Sequence, residues 1–441
     1  MVNFMTKTDL NTLGYPDAPK IVVTPPGPKS KAMFQKIQTV IPQQLYGLVR
    51  PDVSHLIWES AKGDTVRDVD GNVYIDWTAG YHMANAGHAP PQVVEAVKNA
   101  ISKIINTANW SHELRYEAAK KLLSISPSKL DTVVLGGGSG TEATLAAVEA
   151  ARFFKKKNTI ISLYTHYHGQ STVGQWWGRN INLLVAPSCN CYNCPFKLEY
   201  PDCGIFCAEF IEQVIKDQTH NNTAAVILEP WARYHGTPEG YLTKLRKVCD
   251  DNDILMIGDE ITSGQGRSGK WWACDWENVV PDIICSAKGI TSGLQGNALI
   301  TTKEIATALP PGSQVHSYAA NPMTCAAMVS TIDLIKELDL VNNAHVVGMV
   351  IRKRLLELQS EYEQLGTVSA KGLNVGVGFV KDGNSKELDM LTGAKVFTKW
   401  LQKGVMNYGF TWTTPPLCLT KEHAETSLDL LEECIKEVAK E

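Results

Sequence analysis

No stretch of the sequence approaches the ~20 consecutive apolar residues that a bilayer-spanning helix requires. The first residues, MVNFMTKTDLNTLGYPDAPK, lack the continuous apolar segment of a secretory leader. Basic charge is not in excess either: 42 Lys and Arg stand against 46 Asp and Glu. A formal charge of -4 excludes the electrostatic footprint of a nucleic-acid binder and of a polybasic membrane anchor. Internal repeats and low-complexity tracts are missing too, so the expectation is a globular protein of the cytoplasm. With 441 residues, 44% of them hydrophobic, the chain can bury a large core, and the usual ~100 to 200 residues per domain predicts two or three domains.

Histidine is missing from the segment richest in cysteine. Five of the 11 cysteines, Cys189, Cys191, Cys194, Cys203 and Cys207, fall within SCNCYNCPFKLEYPDCGIFC. The spacing Cys191-x-x-Cys194 could open a zinc site, but the return pair is Cys203-x-x-x-Cys207 and no histidine accompanies it. The expectation is reduced thiols in a compact insertion of a cytosolic protein, with no metal.

Strand and helix patterns alternate through the middle of the chain. DTVVLGGGSGTEATLAAVEAARFFKKK reads as a short apolar strand, a glycine turn and a helix with alanines and aromatics on one face. NTIISLYTHYHG, LLVAPS, TAAVILEPW, DILMIGDEI and PDIICSAKG each begin with a few apolar residues and end in polar or turn residues. Parallel strands covered by helices on both faces have this pattern. CAEFIEQVIKDQ and YLTKLRKVCDDN have helical spacing, so the central region is an α/β layer. The ends differ. KGDTVRDVDGNVYIDWTAG alternates apolar and polar residues across Asp70-Gly71, which predicts a hairpin with a type I′ turn. From about Pro322 onward come long helical patterns, the strand-like LNVGVGFVKDG and a last helix. A small domain built from both chain ends, beside a large central one, accommodates this order.

Three features of the central region carry chemistry. Gly136 to Gly140 followed by Thr141 offers backbone N–H groups, two hydroxyls and a helix start, which together form an anion site or simply a tight turn. It is not a Walker A loop, since no Gly-Lys-Ser/Thr follows, nor a GxGxxG fingerprint. Asp259 ends an apolar strand, at the sheet edge where open α/β folds bind ligands, and it is either functional or a helix cap. Lys288 follows the next strand in a small, uncharged setting, Ser-Ala-Lys-Gly. A lysine in a dry site becomes nucleophilic, although a lysine that merely caps a strand end has the same pattern.

Taken together, a phosphate turn, an aromatic-His-Gly, an aspartate at one strand end and a lysine at the next would hold a phosphorylated pyridine. The sequence resembles the class III (ω-amino acid) aminotransferases, a family of fold type I pyridoxal-phosphate enzymes, over nearly its whole length. The motifs run in order: GNVYIDWTAGYHMANAGHAPPQVVEAV, GSGTEAT, YHGQS, ILEPW, ILMIGDEITSGQGRSGKWWA, PDIICSAKGI and HSYAANPMTCAA. The resemblance implies an α/β large domain over 76–325 with a mostly parallel seven-stranded sheet, and a small α+β domain from 1–75 and 326–441. It implies pyridoxal 5′-phosphate as cofactor and a homodimer with active sites shared across the interface. Lys288 is implied to hold the cofactor and move the proton, Asp259 to keep the pyridine nitrogen protonated, and Tyr167, with His168 beside it, to stack on the ring. Ser139, Gly140 and Thr141 are implied to hold the phosphate. Ser317 stands where the family has a threonine that reaches the partner subunit's phosphate.

Departures from the family pattern bear on the substrate. Thr262 replaces a glutamine that hydrogen-bonds the cofactor's ring oxygen. Trp412 occupies the position of an arginine that grips the substrate α-carboxylate in many members. Glu229, which pairs with that arginine, then needs another partner, and Arg233 and Arg179 are candidates that could equally be solvated. Trp231, Trp176, Trp177 and Trp412 suggest an aromatic-walled pocket, and the cysteine-rich insertion resembles one in the taurine and β-alanine branch. The expected reaction is transfer of the amino group of an ω-amino acid to pyruvate or 2-oxoglutarate. Racemisation, epimerisation or decarboxylation on the same fold is the alternative, and a non-enzymatic cofactor-binding regulator is a third reading.

Overall fold

The computed structural model describes residues 9–42, 55–170, 182–232, 236–382, 386–409 and 411–441. The chain separates into two compact units, Pro91–Leu334 and the combination of Met1–Pro90 with Ile335–Glu441.

The Pro91–Leu334 unit is built on one seven-stranded sheet. In spatial order its strands are Thr132–Gly136, Asn297–Thr301, Ile283–Ser286, Leu255–Asp259, Thr223–Leu228, Thr159–Leu163 and Leu183–Ala186. Neighbours are parallel except at Asn297–Thr301, which runs antiparallel to both strands beside it. The mostly parallel α/β architecture expected from the sequence is the one observed. Every residue of Thr223–Leu228, Leu255–Asp259 and Ile283–Ser286 is buried, which is why these strands read as unbroken apolar runs.

Alternation decides which face each side chain serves. Ile160, Ile227 and Ile257 pack with Ala143, Ala147, Ala150 and Ala151 of the helix Gly140–Lys155. Ile161, Val226, Leu228 and Met256 face the other way, toward Ile211 and Leu245 of the helices Phe206–Gln218 and Tyr241–Asp251. The run of alanines lets the first of these helices sit close to the sheet. That placement brings its N-terminus up to the end of the Thr132–Gly136 strand. Because the antiparallel strand lies between two that point the same way, the C-terminal ends of the strands finishing at Gly136, Leu163, Leu228, Asp259 and Ser286 share one edge of the sheet.

The other unit holds two small antiparallel-rich sheets, Trp58–Lys62, Thr65–Asp68, Val73–Asp76 and Val405–Met406 in one, and Leu365–Lys371, Asn374–Phe379 and Trp412–Thr413 in the other. The hairpin at Asp70-Gly71 is present, but its turn is not type I′, which needs two residues with positive φ. Only Gly71, at φ 92°, is left-handed, and the Gly71 N–H closes the turn on the Asp68 carbonyl. Asp70 is an aspartate for a different reason: its carboxylate accepts the N–H groups of Lys29 and Ser30 at 2.7 and 2.9 Å, which caps the helix Pro28–Gln38 from outside. Among the described residues no helix is long and apolar enough to cross a membrane.

Candidate active site

The glycine turn, Asp259 and Lys288 follow or end strands at the common edge of the seven-stranded sheet. Gly137 follows the first strand, and a Cβ there would lie 1.9 Å from the main-chain oxygen of Tyr318. A Cβ on Gly140 would lie 2.7 Å from Ile261 Cδ1. The turn is glycine-rich because other loops press onto it. Ser139 is extended at the N-cap of the Gly140–Lys155 helix, and its side chain makes no capping hydrogen bond. The Glu142 N–H returns to the Ser139 carbonyl at 3.1 Å and the Glu142 carboxylate accepts the Gly137 N–H at 3.5 Å, while the helix start with the Ser139 and Thr141 hydroxyls beside it is a setting suited to an anion. Gly169, at φ 93°, closes over this start: a Cβ there would meet Thr141 Oγ1 at 2.2 Å.

One step along the edge, His168 and Asp259 form a buried pair, Nδ1 to Oδ2, at 2.7 Å. The Thr144 hydroxyl holds the His168 carbonyl at 2.8 Å and so fixes the ring's backbone. His168 Nε2 is buried and has no hydrogen-bond partner among the described residues. A carboxylate oxygen accepts, so the Nδ1–H donates to Asp259. The other Asp259 oxygen receives the Ile261 N–H at 3.3 Å. A buried carboxylate calls for a cationic or hydrogen-bonding partner. A protonated pyridine nitrogen meets that need, while the neighbouring helix start meets the need of a phosphate. The donor set fits pyridoxal phosphate.

Lys288 lies three residues beyond Cys285, the register partner of Asp259. It is half-buried and takes a left-handed backbone at φ 48°, which for a non-glycine residue costs about 1–3 kcal/mol and marks a position held by its surroundings. Thr262 is buried near Asp259 in sequence. Tyr167 is half-buried, and its N–H donates to Glu229 Oε2 at 2.8 Å, while the Glu229 N–H donates to His166 Nδ1 at 2.9 Å. One Glu229 oxygen thus receives a main-chain donor. Arg233, Arg179, Trp176 and Trp177 lie outside the described residues. Trp231 is buried. Ser317 is exposed, and its carbonyl accepts Asn106 Nδ2 at 2.9 Å. Trp412 belongs to the other unit, where its ring lies 4.2 Å from His82 and its Nε1 donates to Asn374 Oδ1 at 2.6 Å.

Sequence reasoning passed over Glu260. Its buried carboxyl accepts the Ser263 hydroxyl at 2.5 Å and the Cys274 N–H at 2.9 Å, and burial pushes its pKa up to about 7. The signal was its place beside Asp259 at the end of a wholly buried strand. Gln265 is a second omission, with Nε2 donating to Ser286 Oγ at 2.9 Å between the aspartate and lysine strands. All eleven cysteines are free thiols. Cys191, Cys194, Cys203 and Cys207 line one small hollow with Phe196 and Phe206. Among the described residues no three His, Cys, Asp or Glu side chains are grouped to hold a metal ion.

These features are those of a pyridoxal-phosphate site on a fold type I scaffold. The family model for aminotransferase class III matches residues 48–435, and the chain belongs to that family. It is similar to an alanine/serine racemase of Pyrococcus horikoshii, 33% identical over 95% of this chain and 93% of the relative. An ornithine aminotransferase of Oceanobacillus iheyensis is 31% identical over 86% of this chain and 94% of its own. Among solved structures, a PLP-bound amine transaminase from an uncultivated Pseudomonas species matches with TM-score 0.83 and 25% identity, covering 89% of this chain and 98% of that one. The protein is a PLP-dependent enzyme of the transaminase class.

Proposed function

We propose that the enzyme moves the amino group of an ω-amino acid, of the taurine or β-alanine kind, to 2-oxoglutarate or pyruvate in a ping-pong cycle. Bound pyridoxal phosphate supplies a carbonyl that takes up the amino group and a ring that accepts an electron pair. Lys288 would provide the amine that anchors the cofactor, and its Nζ, once displaced by the donor's amine, would carry a proton from the donor carbon to the cofactor's former carbonyl carbon, the transfer that distinguishes transamination from racemisation. Asp259 opposes positive charge at the ring nitrogen, and the His168 donor fixes the carboxylate that does so. Ser139, Gly140 and Thr141 hold the phosphate, with Ser317 serving the partner subunit. Tyr167 and Thr262 complete the surroundings of the ring. Eleven free thiols accord with work in a reducing cytoplasm.

The donor class rests on Trp412. Where the family resemblance calls for a guanidinium against the donor's α-carboxylate, this chain has an indole, 8% exposed, whose N–H is already engaged by Asn374. By that resemblance, an α-amino donor would lack the guanidinium that meets its carboxylate in many members. Burying an unpaired anion costs several kcal/mol, and about 2.7 kcal/mol of that corresponds to roughly 100-fold in specificity. Rates with taurine, β-alanine, 4-aminobutyrate and L-alanine, for the parent and for Trp412→Arg, test this: ω-donors should lead in the parent and the arginine should shift the ratio toward L-alanine. A parent that already prefers L-alanine, or a ratio that arginine leaves unchanged, refutes the donor assignment. A homodimer is part of the proposal, because Ile105, Trp110, Tyr116, Val315 and Tyr318 are all more than half exposed in the two segments around Ser317.

A second reading, racemisation or epimerisation, is supported by relatives named alanine/serine racemase, leucine/methionine racemase and isoleucine 2-epimerase at 30–33% identity. Loss of optical rotation from L-alanine or L-leucine in the absence of any 2-oxo acid would favour it over transamination.

A further inference from the structure

We infer that Arg115 and His112 are positioning residues that clamp the 317–320 segment onto the glycine turn and thereby shape the phosphate cup. The inference rests on the reading of that turn as the phosphate site. Both residues lie at the start of the helix Glu113–Leu123, about 200 residues away in sequence from the segment they hold. His112 Nε2 is 2.8 Å from the Ala320 carbonyl, and because a carbonyl only accepts, Nε2 carries the proton. Arg115 reaches the carbonyls of Ala319 at 3.0 Å, Ala108 at 2.9 Å and Asn109 at 3.3 Å. Asn106 adds a bond to the Ser317 carbonyl at 2.9 Å.

The clamped segment bears directly on the turn. The Ala320 N–H donates to the Gly136 carbonyl at 3.3 Å, and the Tyr318 carbonyl occupies the space a Gly137 side chain would need. Four main-chain carbonyls that would otherwise face an open hollow between Arg115, Val133 and Gln314 are satisfied by the two side chains. No carboxylate of the described residues pairs with the Arg115 guanidinium, so its role here is a fork of donors on carbonyls, a geometry that lysine cannot reproduce. Removing the fork frees the 317–320 segment and loosens the amide array that meets the phosphate.

The test is equilibrium binding to apoenzyme, read by quenching of intrinsic fluorescence, of pyridoxal 5′-phosphate and of pyridoxal, which has no phosphate. Arg115→Ala and His112→Ala should each weaken pyridoxal phosphate by about 10-fold or more and leave pyridoxal within a factor of about 2, the former change being near 1.4 kcal/mol. His112→Gln, which keeps a donor for the Ala320 carbonyl, should restore most of the affinity. Arg115→Lys, which preserves charge, should still lose part of it and serves if the alanine variant does not fold. Equal weakening of both ligands, or no weakening of either, overturns the clamp. Thr141→Ala separates the two levels: selective loss there without loss in the Arg115 variants refutes the clamp and leaves the phosphate turn standing, whereas no selective loss in any variant refutes both.

Discussion

Replacing His168 with phenylalanine leaves a ring of similar size in the buried space beside Asp259 and removes the nitrogen 2.7 Å from its carboxylate. The carboxylate keeps the Ile261 N–H, a longer bond at 3.3 Å. A hydrogen bond to a charged acceptor contributes about 1.5–3 kcal/mol, and here the partner is left buried, so a loss of about 2 kcal/mol is expected in the apoenzyme. For a unit of roughly 250 residues each kcal/mol moves Tm by about 2–4 °C, which gives a fall of about 4–8 °C in a thermal melt. His168→Asn places an amide nitrogen near the position of Nδ1 and should recover at least half of that fall. Pyridoxal phosphate should stabilise the phenylalanine variant less than the parent, because Asp259 then holds the ring nitrogen less well. A phenylalanine variant that melts with the parent, or an asparagine variant that falls as far as phenylalanine, would refute the assignment of His168 as the donor that fixes Asp259.

Two other outcomes concern Glu260 and the cysteine-rich segment. Burial pushes Glu260 from an ordinary value of 4.5 up to about 7, so between those values the folded protein keeps a proton that the unfolded chain has lost, and stability falls as pH rises through that window. Glu260→Gln can keep both hydrogen bonds and should flatten that fall, which is worth up to about 3 kcal/mol; unchanged pH dependence of unfolding would contradict it. The cysteine-rich segment should carry well below one zinc or iron per chain when the purified protein is analysed by mass spectrometry, and stoichiometric metal whose removal unfolds the protein would contradict that.

The strands of the central sheet were legible because burial on both faces leaves an unbroken apolar run, as in TAAVIL and LMIGD, which ends abruptly where the edge of the sheet is reached. Asp259 could be placed from that ending alone. Pairing between distant loops leaves no such mark: nothing in the residues around Arg115 points to the Ala319 carbonyl, 204 positions away. The turn at Asp70 was misread because its aspartate caps a helix some 40 residues earlier, a use that local turn rules do not contain. The substrate was least legible, since the proposed donor class rests on the absence of a charge at Trp412, and an absence specifies only what is disfavoured.

The central claim is that Lys288 anchors the cofactor at the end of its strand. Borohydride reduction of the holoenzyme, followed by digestion and mass spectrometry, should place one phosphopyridoxyl group on the peptide containing Ser286, Ala287 and Lys288, with Lys288→Ala unlabelled there and unable to turn over repeatedly. A label on a different lysine, or a Lys288→Ala enzyme that cycles at a rate near the parent's, would contradict the account.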